Sequence, residues 1–178
     1  GKAKLITESG TEYSLNVPDI KLSVTKNSAG YYCKEGMDII DLFIGSEGTL
    51  GIIYEIKLKL LKLPDKFFST VLFFENIDDC FNLIGFFKKK KDSLINPSAI
   101  EFMDKNSLNL LRVDYTNIPN NAECCLWIEQ DCNLSEYEKV LEEYLNLFEY
   151  FNIDTTKSWF AYTDTELNKF QIFRHAIP

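Results

Sequence analysis

A formal net charge of −8 over 178 residues argues against unspecific nucleic-acid binding, which needs a basic face, while a 46% apolar content is enough to fill one ordinary domain or two small ones. The five cysteines, Cys33, Cys80, Cys124, Cys125 and Cys132, form no Cys-x-x-Cys pair and have only His175 for histidine company, so zinc or iron–sulfur ligation is not expected and they read as small apolar core residues of a reducing cytoplasm. No apolar run has the length to span a bilayer, so any membrane attachment is expected to be peripheral.

In chain order, residues 3–7 and 11–15 flank a Ser9-Gly10 turn and read as a hairpin. Next comes Gly45-Ser46-Glu47-Gly48-Thr49-Leu50-Gly51-Ile52-Ile53, with glycine at every third position. Glycine reaches positive φ and lets a ligand approach the main chain without a Cβ in the way, so this run reads as a surface pressed against something flat or anionic. Residues 52–63 then read as a long strand, with Ile56, Leu58 and Leu60 alternating against Glu55, Lys57 and Lys59. Phosphate loops and dinucleotide fingerprints open a helix instead. The run also lacks a Gly-Lys-Ser/Thr ending, and Glu47 would repel a phosphate, so a Walker-type site is not expected.

Pro64-Asp65 separates this β-rich part from an alternation of strands and helices. Residues 69–74 form a continuous apolar strand, and Asn76 can cap a helix carrying Ile77, Phe81, Ile84 and Phe87. That helix runs into Lys88-Lys89-Lys90-Lys91, cations suited to the negative end of its dipole, with contact to an anionic lipid or a protein as the other use. Residues 98–102 read as a second strand, and Asp104 can cap a short helix through Leu111. Residues 117–121 are a turn-rich link, a place for mobility. Residues 123–130 are a third strand. Ser135 and Glu138 then pair as a capping box before a helix with Tyr137, Leu141, Tyr144, Leu145 and Phe148 on one stripe. Residues 157–162 are a fourth strand, and Thr163 with Glu166 starts a last helix carrying Phe170, Phe173 and Arg174. This order suits an α+β fold, an antiparallel ferredoxin-like sheet with helices on one face, although periodicity alone leaves a small parallel α/β domain open.

The residues upstream of the glycine run sharpen its meaning. Lys26-Asn27-Ser28-Ala29-Gly30-Tyr31 precedes Asp41-Leu42-Phe43-Ile44 and then the run. In that order, residues 26–64 resemble the end of the flavin-binding domain of FAD-linked oxidases in the vanillyl-alcohol oxidase superfamily. The branch they resemble holds the glycolate oxidase FAD subunit, D-lactate dehydrogenase and D-2-hydroxyglutarate dehydrogenase. The resemblance implies that residues 1–64 are the C-terminal part of an FAD-binding domain and 65–178 the first part of a cap, or substrate, domain, and the antiparallel topology leans on it. Two further segments are similar to the family. Ala99-Ile100-Glu101-Phe102-Met103-Asp104 resembles its cap strand entering a helix, though a plain strand and helix cap explain these residues equally well. Phe173-Arg174-His175-Ala176-Ile177-Pro178 resembles the segment in which an arginine reaches the substrate carboxylate. Arginine suits that task because its planar fork donates two parallel hydrogen bonds and stays charged. Taken alone, Arg174 reads as a solvated helix charge and His175 as a surface or capping imidazole.

What the resemblance implies is oxidation of a small D-2-hydroxy acid (D-lactate, glycolate or 2-hydroxyglutarate) by hydride transfer to FAD while a base takes the hydroxyl proton. It implies that Glu47, Gly48, Thr49, Leu50, Gly51, Ile52 and Ile53 lie against FAD through backbone groups, with Ser46 and Thr49 adding hydrogen bonds. Lys26, Ser28, Gly30 and Tyr31 would lie near the cofactor, Ser28 standing where threonine is also common. The family's pyrophosphate loops precede this hairpin and its histidine-rich segment, with metal ligands and a candidate base, follows the arginine helix. The chain therefore reads as an internal fragment with no catalytic or metal residue of its own, expected to bind FAD weakly or not at all and to show no turnover. The electron acceptor stays open between a quinone, a cytochrome, an electron-transfer flavoprotein and oxygen. Two other readings stand beside this one. One is a non-catalytic α+β binding or regulatory module in which the glycine run is a turn. The other is a relative of alkyl-dihydroxyacetone-phosphate synthase, which shares a similar Glu-Gly-Thr-Leu-Gly motif, although residues 26–31 fit the hydroxy-acid branch better.

Overall fold

In the computed structural model, which describes residues 2–16, 26, 30–34, 37–89 and 93–177, the chain divides into two units, Gly1–Leu60 and Leu61–Pro178. The first opens with a hairpin of β1 (Lys2–Ile6) and β2 (Glu12–Asn16), paired antiparallel from Lys2↔Asn16 to Ile6↔Glu12. Gly10, at φ +80°, closes the turn by donating its N–H to the Thr7 carbonyl at 2.9 Å. A single 3-10 turn, Ile39–Leu42, leads towards the glycine run, and Asp38 caps it by accepting from the Ile40 N–H at 3.2 Å.

The expected strand over residues 52–63 is not formed: residues 51–64 have no regular secondary structure. A strand is held by ladder hydrogen bonds to a neighbour, and no described residue supplies them here. The alternating pattern is present in the sequence, yet Ile52 and Leu60 are 92% and 83% exposed.

The second unit follows the predicted alternation: β3 (Lys66–Phe74), α1 (Ile77–Lys89), β4 (Ala99–Asp104), α2 (Lys105–Leu111), β5 (Cys124–Cys132), α3 (Tyr137–Tyr150), β6 (Trp159–Ala161) and α4 (Asp164–Arg174). The strands form one sheet in the order β4-β5-β3-β6, every neighbour antiparallel. The steps β3-α1-β4 and β5-α3-β6 each skip over one strand, while α2 joins the adjacent antiparallel strands β4 and β5, which is the split arrangement of ferredoxin-like folds.

Helices cover both faces of this sheet rather than the one expected. The central strands explain why, because they are apolar on both sides. Phe68, Leu72, Leu126 and Ile128 point to one core with Leu83 of α1 and Val140, Tyr144 and Phe148 of α3. Val71, Phe73, Cys125 and Trp127 point to the other with Leu108 and Leu111 of α2 and Phe170 and Phe173 of α4. A sheet apolar on both sides must be clothed on both, and each fully buried Leu or Ile contributes about 1.5–3 kcal/mol. The five cysteines are free and buried, as the core reading expects.

Local signals were met unevenly. The Asn76 side chain accepts from the Asp78 N–H at 2.9 Å at the start of α1, and Asp104 accepts from the Ser107 N–H at 2.8 Å ahead of α2. Lys88 and Lys89 occupy the last turn of α1; Lys90 and Lys91 lie outside the described residues. The buried stripe of α1 runs through Cys80 and Leu83, leaving Ile77 and Phe81 largely exposed. In α3 the Ser135–Glu138 capping box is absent: the helix starts at Tyr137, its N-cap residue is Glu136, and no side chain caps it. The link over residues 117–121 is tied down, because the Arg112 Nη2 donates to the carbonyls of Pro119 at 2.7 Å and Ala122 at 3.2 Å while Ile118 is buried.

Candidate functional site

The glycine run folds into a tight double turn. Gly45 and Gly48 take φ of +75° and +77°, and Glu47 between them takes +52°, a conformation that costs a side chain about 1 kcal/mol. The Ser46 N–H donates to the Phe43 carbonyl at 3.2 Å and the Thr49 N–H to the Ser46 carbonyl at 3.0 Å. The Thr49 hydroxyl gives its one proton to the Ser46 carbonyl at 2.6 Å, so its 2.7 Å contact with the Tyr31 hydroxyl has Tyr31 as donor. Two of the expected cofactor residues, Tyr31 and Thr49, thus meet across 18 positions of sequence.

A groove of about 350 Å³ is lined by Phe43, the run from Gly45 to Gly48, Gly51, Ile52 and Ile53. The N–H groups of Glu47, Gly48, Leu50 and Gly51 bond to no described residue. A Cβ added at Gly45 or Gly48 meets no atom within 4 Å, so the space over those backbones is open. Ser46 is buried in the turn, while Thr49 and Leu50 do not line the groove. Gly30 sits in a bend at φ +73°, Lys26 is exposed, and Ser28 lies outside the described residues.

Arg174 belongs to the second unit. Its helix, α4, is anchored at the start by a capping box in which the Glu166 N–H donates to the Thr163 hydroxyl at 3.3 Å and the Thr163 N–H donates to the Glu166 carboxylate at 3.0 Å. Bonds donated to the Glu166 carboxylate by the Tyr162 N–H, first, and by the Thr163 hydroxyl and N–H hold that carboxyl below its ordinary range. Phe170 and Phe173 fix the helix to the sheet, Phe173 packing edge-on to Tyr115 and Trp159 at 5.0 and 5.2 Å between ring centres. Arg174, the last helical residue, reaches back over the sheet. Its guanidinium carbon lies 4.9 Å from the Trp127 ring centre, and Nη2 and Nε donate to Glu101 Oε1 at 2.7 and 3.2 Å. His175 is exposed at the helix C-cap, where its backbone N–H donates to the Gln171 carbonyl at 3.2 Å.

The family FAD linked oxidases, C-terminal domain, matches residues 63–178, well over half of the chain. This chain belongs to the FAD linked oxidases. It is 34% identical over 122 residues to glycolate oxidase subunit GlcD of Bacillus subtilis, covering 67% of this chain and 24% of that protein. It is also similar to D-lactate dehydrogenase of Anaerostipes hadrus, 39% identical over 83 residues (47% of this chain, 16% of the relative). A third relative is D-2-hydroxyglutarate dehydrogenase of Stutzerimonas stutzeri, 29% identical over 141 residues (79% and 26%). The chain thus spans roughly a quarter of these relatives or less, and FAD is the cofactor of the family it has joined.

In this FAD linked oxidase, sequence reasoning named Arg174 but not what holds it. Glu101 stands in the sequence as one residue of the cap-strand motif, and Trp127 as one unnamed residue of the third strand. The available signal was a charge at the centre of an apolar strand, which is seldom buried without a partner. A second polar group beside it was also missed. Glu129 of β5 accepts from Gln171 Nε2 at 2.8 Å, next to a cavity of about 250 Å³ lined by Phe67, Asp164, Leu167 and Asn168 as well. Burial pushes the Glu129 carboxyl above its ordinary range, against the pull of Gln171 and of Arg174. Among the described residues no cluster of three His, Cys, Asp or Glu side chains could hold a metal ion, and no helix is long and apolar enough to cross a membrane.

Proposed function

We propose that residues 1–64 are the C-terminal part of an FAD-binding domain and residues 65–178 the first part of the cap domain of an enzyme that oxidises a D-2-hydroxy acid, such as D-lactate, glycolate or 2-hydroxyglutarate. The Arg174 guanidinium carries this reading: it is a fixed cation, 32% exposed, with Nη1 bonded to no described residue. Such a fork receives a carboxylate through two parallel charge-assisted bonds. The names of the relatives, which include a glycolate oxidase, a D-lactate dehydrogenase and a D-2-hydroxyglutarate dehydrogenase, all describe action on such acids.

The glycine run fits the flavin's demands. Its backbone can be approached closely, and its N–H groups that bond to no described residue suit the polar edge of a flat ring system. Ser46, Glu47, Gly48, Thr49, Leu50, Gly51, Ile52 and Ile53 would hold FAD mainly through the main chain. Tyr31 would support Thr49 from behind, with Lys26, Ser28 and Gly30 close by. FAD, when bound, accepts the α-hydrogen of the substrate as hydride. Arg174 contributes orientation: by fixing the carboxylate it fixes the adjacent carbon from which that hydrogen departs. None of these residues is assigned as the base for the hydroxyl proton, and this polypeptide by itself is expected to bind FAD weakly or not at all and not to turn over. The buried free thiols suit a reducing compartment, which we take to be the cytoplasm.

The test is the absorbance spectrum of the full-length protein encoded by the gene, before and after anaerobic addition of D-lactate, glycolate or 2-hydroxyglutarate. Flavin bands that bleach with one acid support the reading and name the substrate. A folded, colourless protein would sink it.

A further inference from the structure

We infer that Glu101 is the positioning residue for Arg174, holding the side edge of the guanidinium so that its end edge faces the substrate carboxylate. This rests on the substrate role proposed above for Arg174. A guanidinium has five N–H donors and two edges on which a carboxylate can seat, Nε with Nη2 or Nη1 with Nη2. Glu101 uses a single oxygen, Oε1, to accept from both Nε and Nη2, and so fills the first edge with two donors. Three donors bond to no described residue, among them the complete Nη1–Nη2 pair.

Two restraints then act on the guanidinium. Fully buried Trp127 holds it over an aromatic ring, its carbon 4.9 Å from the ring centre, and Glu101 fixes which edge is occupied. The support is itself rigid, because Glu101 stands opposite Trp127 in the β4–β5 ladder. An arginine left free would surrender several rotatable bonds when it met a ligand; here that ordering is already done in the folded protein, which favours binding. The pair is partly open to water, with side chains 32% and 44% exposed, so its leverage is modest. Glu101 also carries a charge of the same sign as the substrate, so a pure competitor for Arg174 and a positioning residue predict opposite effects when that charge is removed.

The experiment uses the full-length flavoprotein with D-lactate, glycolate and 2-hydroxyglutarate, comparing Glu101→Gln, Arg174→Ala and the double variant. Bound flavin and melting temperature are monitored throughout. Glu101→Gln should raise KM roughly three- to fivefold with kcat within about twofold of the parent. Arg174→Ala should raise KM further, and adding Glu101→Gln to it should change nothing more, because Glu101 acts only through the arginine. Glu101→Asp, which keeps the charge but withdraws the oxygen by one methylene, should give the same rise and serves in place of the Gln variant if that protein does not fold. An unchanged or lowered KM in Glu101→Gln, or a further rise on the Arg174→Ala background, overturns the positioning role. If Arg174→Ala itself leaves KM unchanged, the role proposed for Arg174 falls first and the present inference with it.

Discussion

The two faces of the four-stranded sheet are built from the same strands yet carry different burdens. On the α1/α3 side the strands present mostly apolar or aromatic side chains, Phe68 stacks on Tyr144 at 4.1 Å between ring centres, and two buried polar side chains are engaged: the Thr70 hydroxyl donates to the Trp159 carbonyl at 2.8 Å, and Gln130 is bonded at both ends of its amide. Its Oε1 accepts from the Asn96 N–H at 2.7 Å and the Tyr144 hydroxyl at 2.9 Å, and its Nε2 donates to the Leu94 carbonyl at 2.8 Å. On the α2/α4 side the same strands present Glu101, Glu129 and the indole under Arg174, and two buried groups, the Ser69 hydroxyl and the Trp127 N–H, bond to no described residue. A sheet clothed on both sides can let one face supply cohesion while the other tolerates unpaired and half-exposed polar groups. Polar groups of that kind are what recognition of a charged substrate requires.

Perturbations of the two faces should therefore separate stability from substrate affinity. The largest effect is expected on the α1/α3 side, where Leu126→Ala should lower unfolding free energy by about 3 kcal/mol in urea titrations and leave the KM of the surviving folded enzyme unchanged. Arg174→Ala on the other side should do the reverse, raising KM for the hydroxy acid roughly ten- to a hundredfold through the lost charged bonds, with stability altered by less than about 0.5 kcal/mol. Tyr144→Phe removes one donor from the Gln130 cluster and should cost about 1 kcal/mol of stability, again without a kinetic trace.

Thr163→Ala probes the entry to the arginine helix and should cost about 1 kcal/mol at neutral pH. The Glu166 carboxyl titrates below its ordinary range in the folded protein, so the box stabilises above the unfolded value and that contribution is lost as pH falls through the folded one. The difference in melting temperature between parent and Thr163→Ala should accordingly narrow in acid; a constant gap would show that the box does not titrate. The smallest effect has the opposite sign. Because burial raises Glu129, the folded protein binds more proton than the unfolded one between the ordinary and the raised value, and stability falls as pH rises through that window. Glu129→Gln keeps an acceptor for Gln171 and should raise the melting temperature at neutral pH by about 1–2 °C, small because the carboxylate is partly open to water.

Elements that announce themselves locally were legible from sequence. The Asn76, Asp104 and Thr163–Glu166 caps and the apolar runs of β3 and β5 placed the strand and helix alternation of the second unit, because each signal is satisfied by near neighbours. Signals that depend on a distant partner failed. Residues 52–63 have the alternation of a strand, but alternation does not provide a ladder. Ser135 and Glu138 have the right spacing for a capping box, yet the turn after β5 makes Glu136 the N-cap residue. The use of both sheet faces was written in the strands, since Val71 and Leu72 are equally apolar, but it could be read only by asking where the opposite side chains go. At the candidate site, Arg174 is singled out by its segment, whereas its Glu101 contact joins residues 73 apart and the Trp127 ring beneath it comes from a different strand.

Both tryptophans of the chain, Trp127 and Trp159, lie on the α2/α4 side, the first under the guanidinium and the second among Phe73, Phe170 and Phe173. Indole emission from these residues is therefore a one-sided optical probe: it reports quenching, solvent entry or ligand arrival at the α2/α4 face, and it is blind to the Tyr144 side. A melt followed by that emission and one followed by far-ultraviolet dichroism need coincide only if the two faces come apart together, so superposing the two curves measures directly how tightly the α2/α4 side of the sheet is bound to the α1/α3 side.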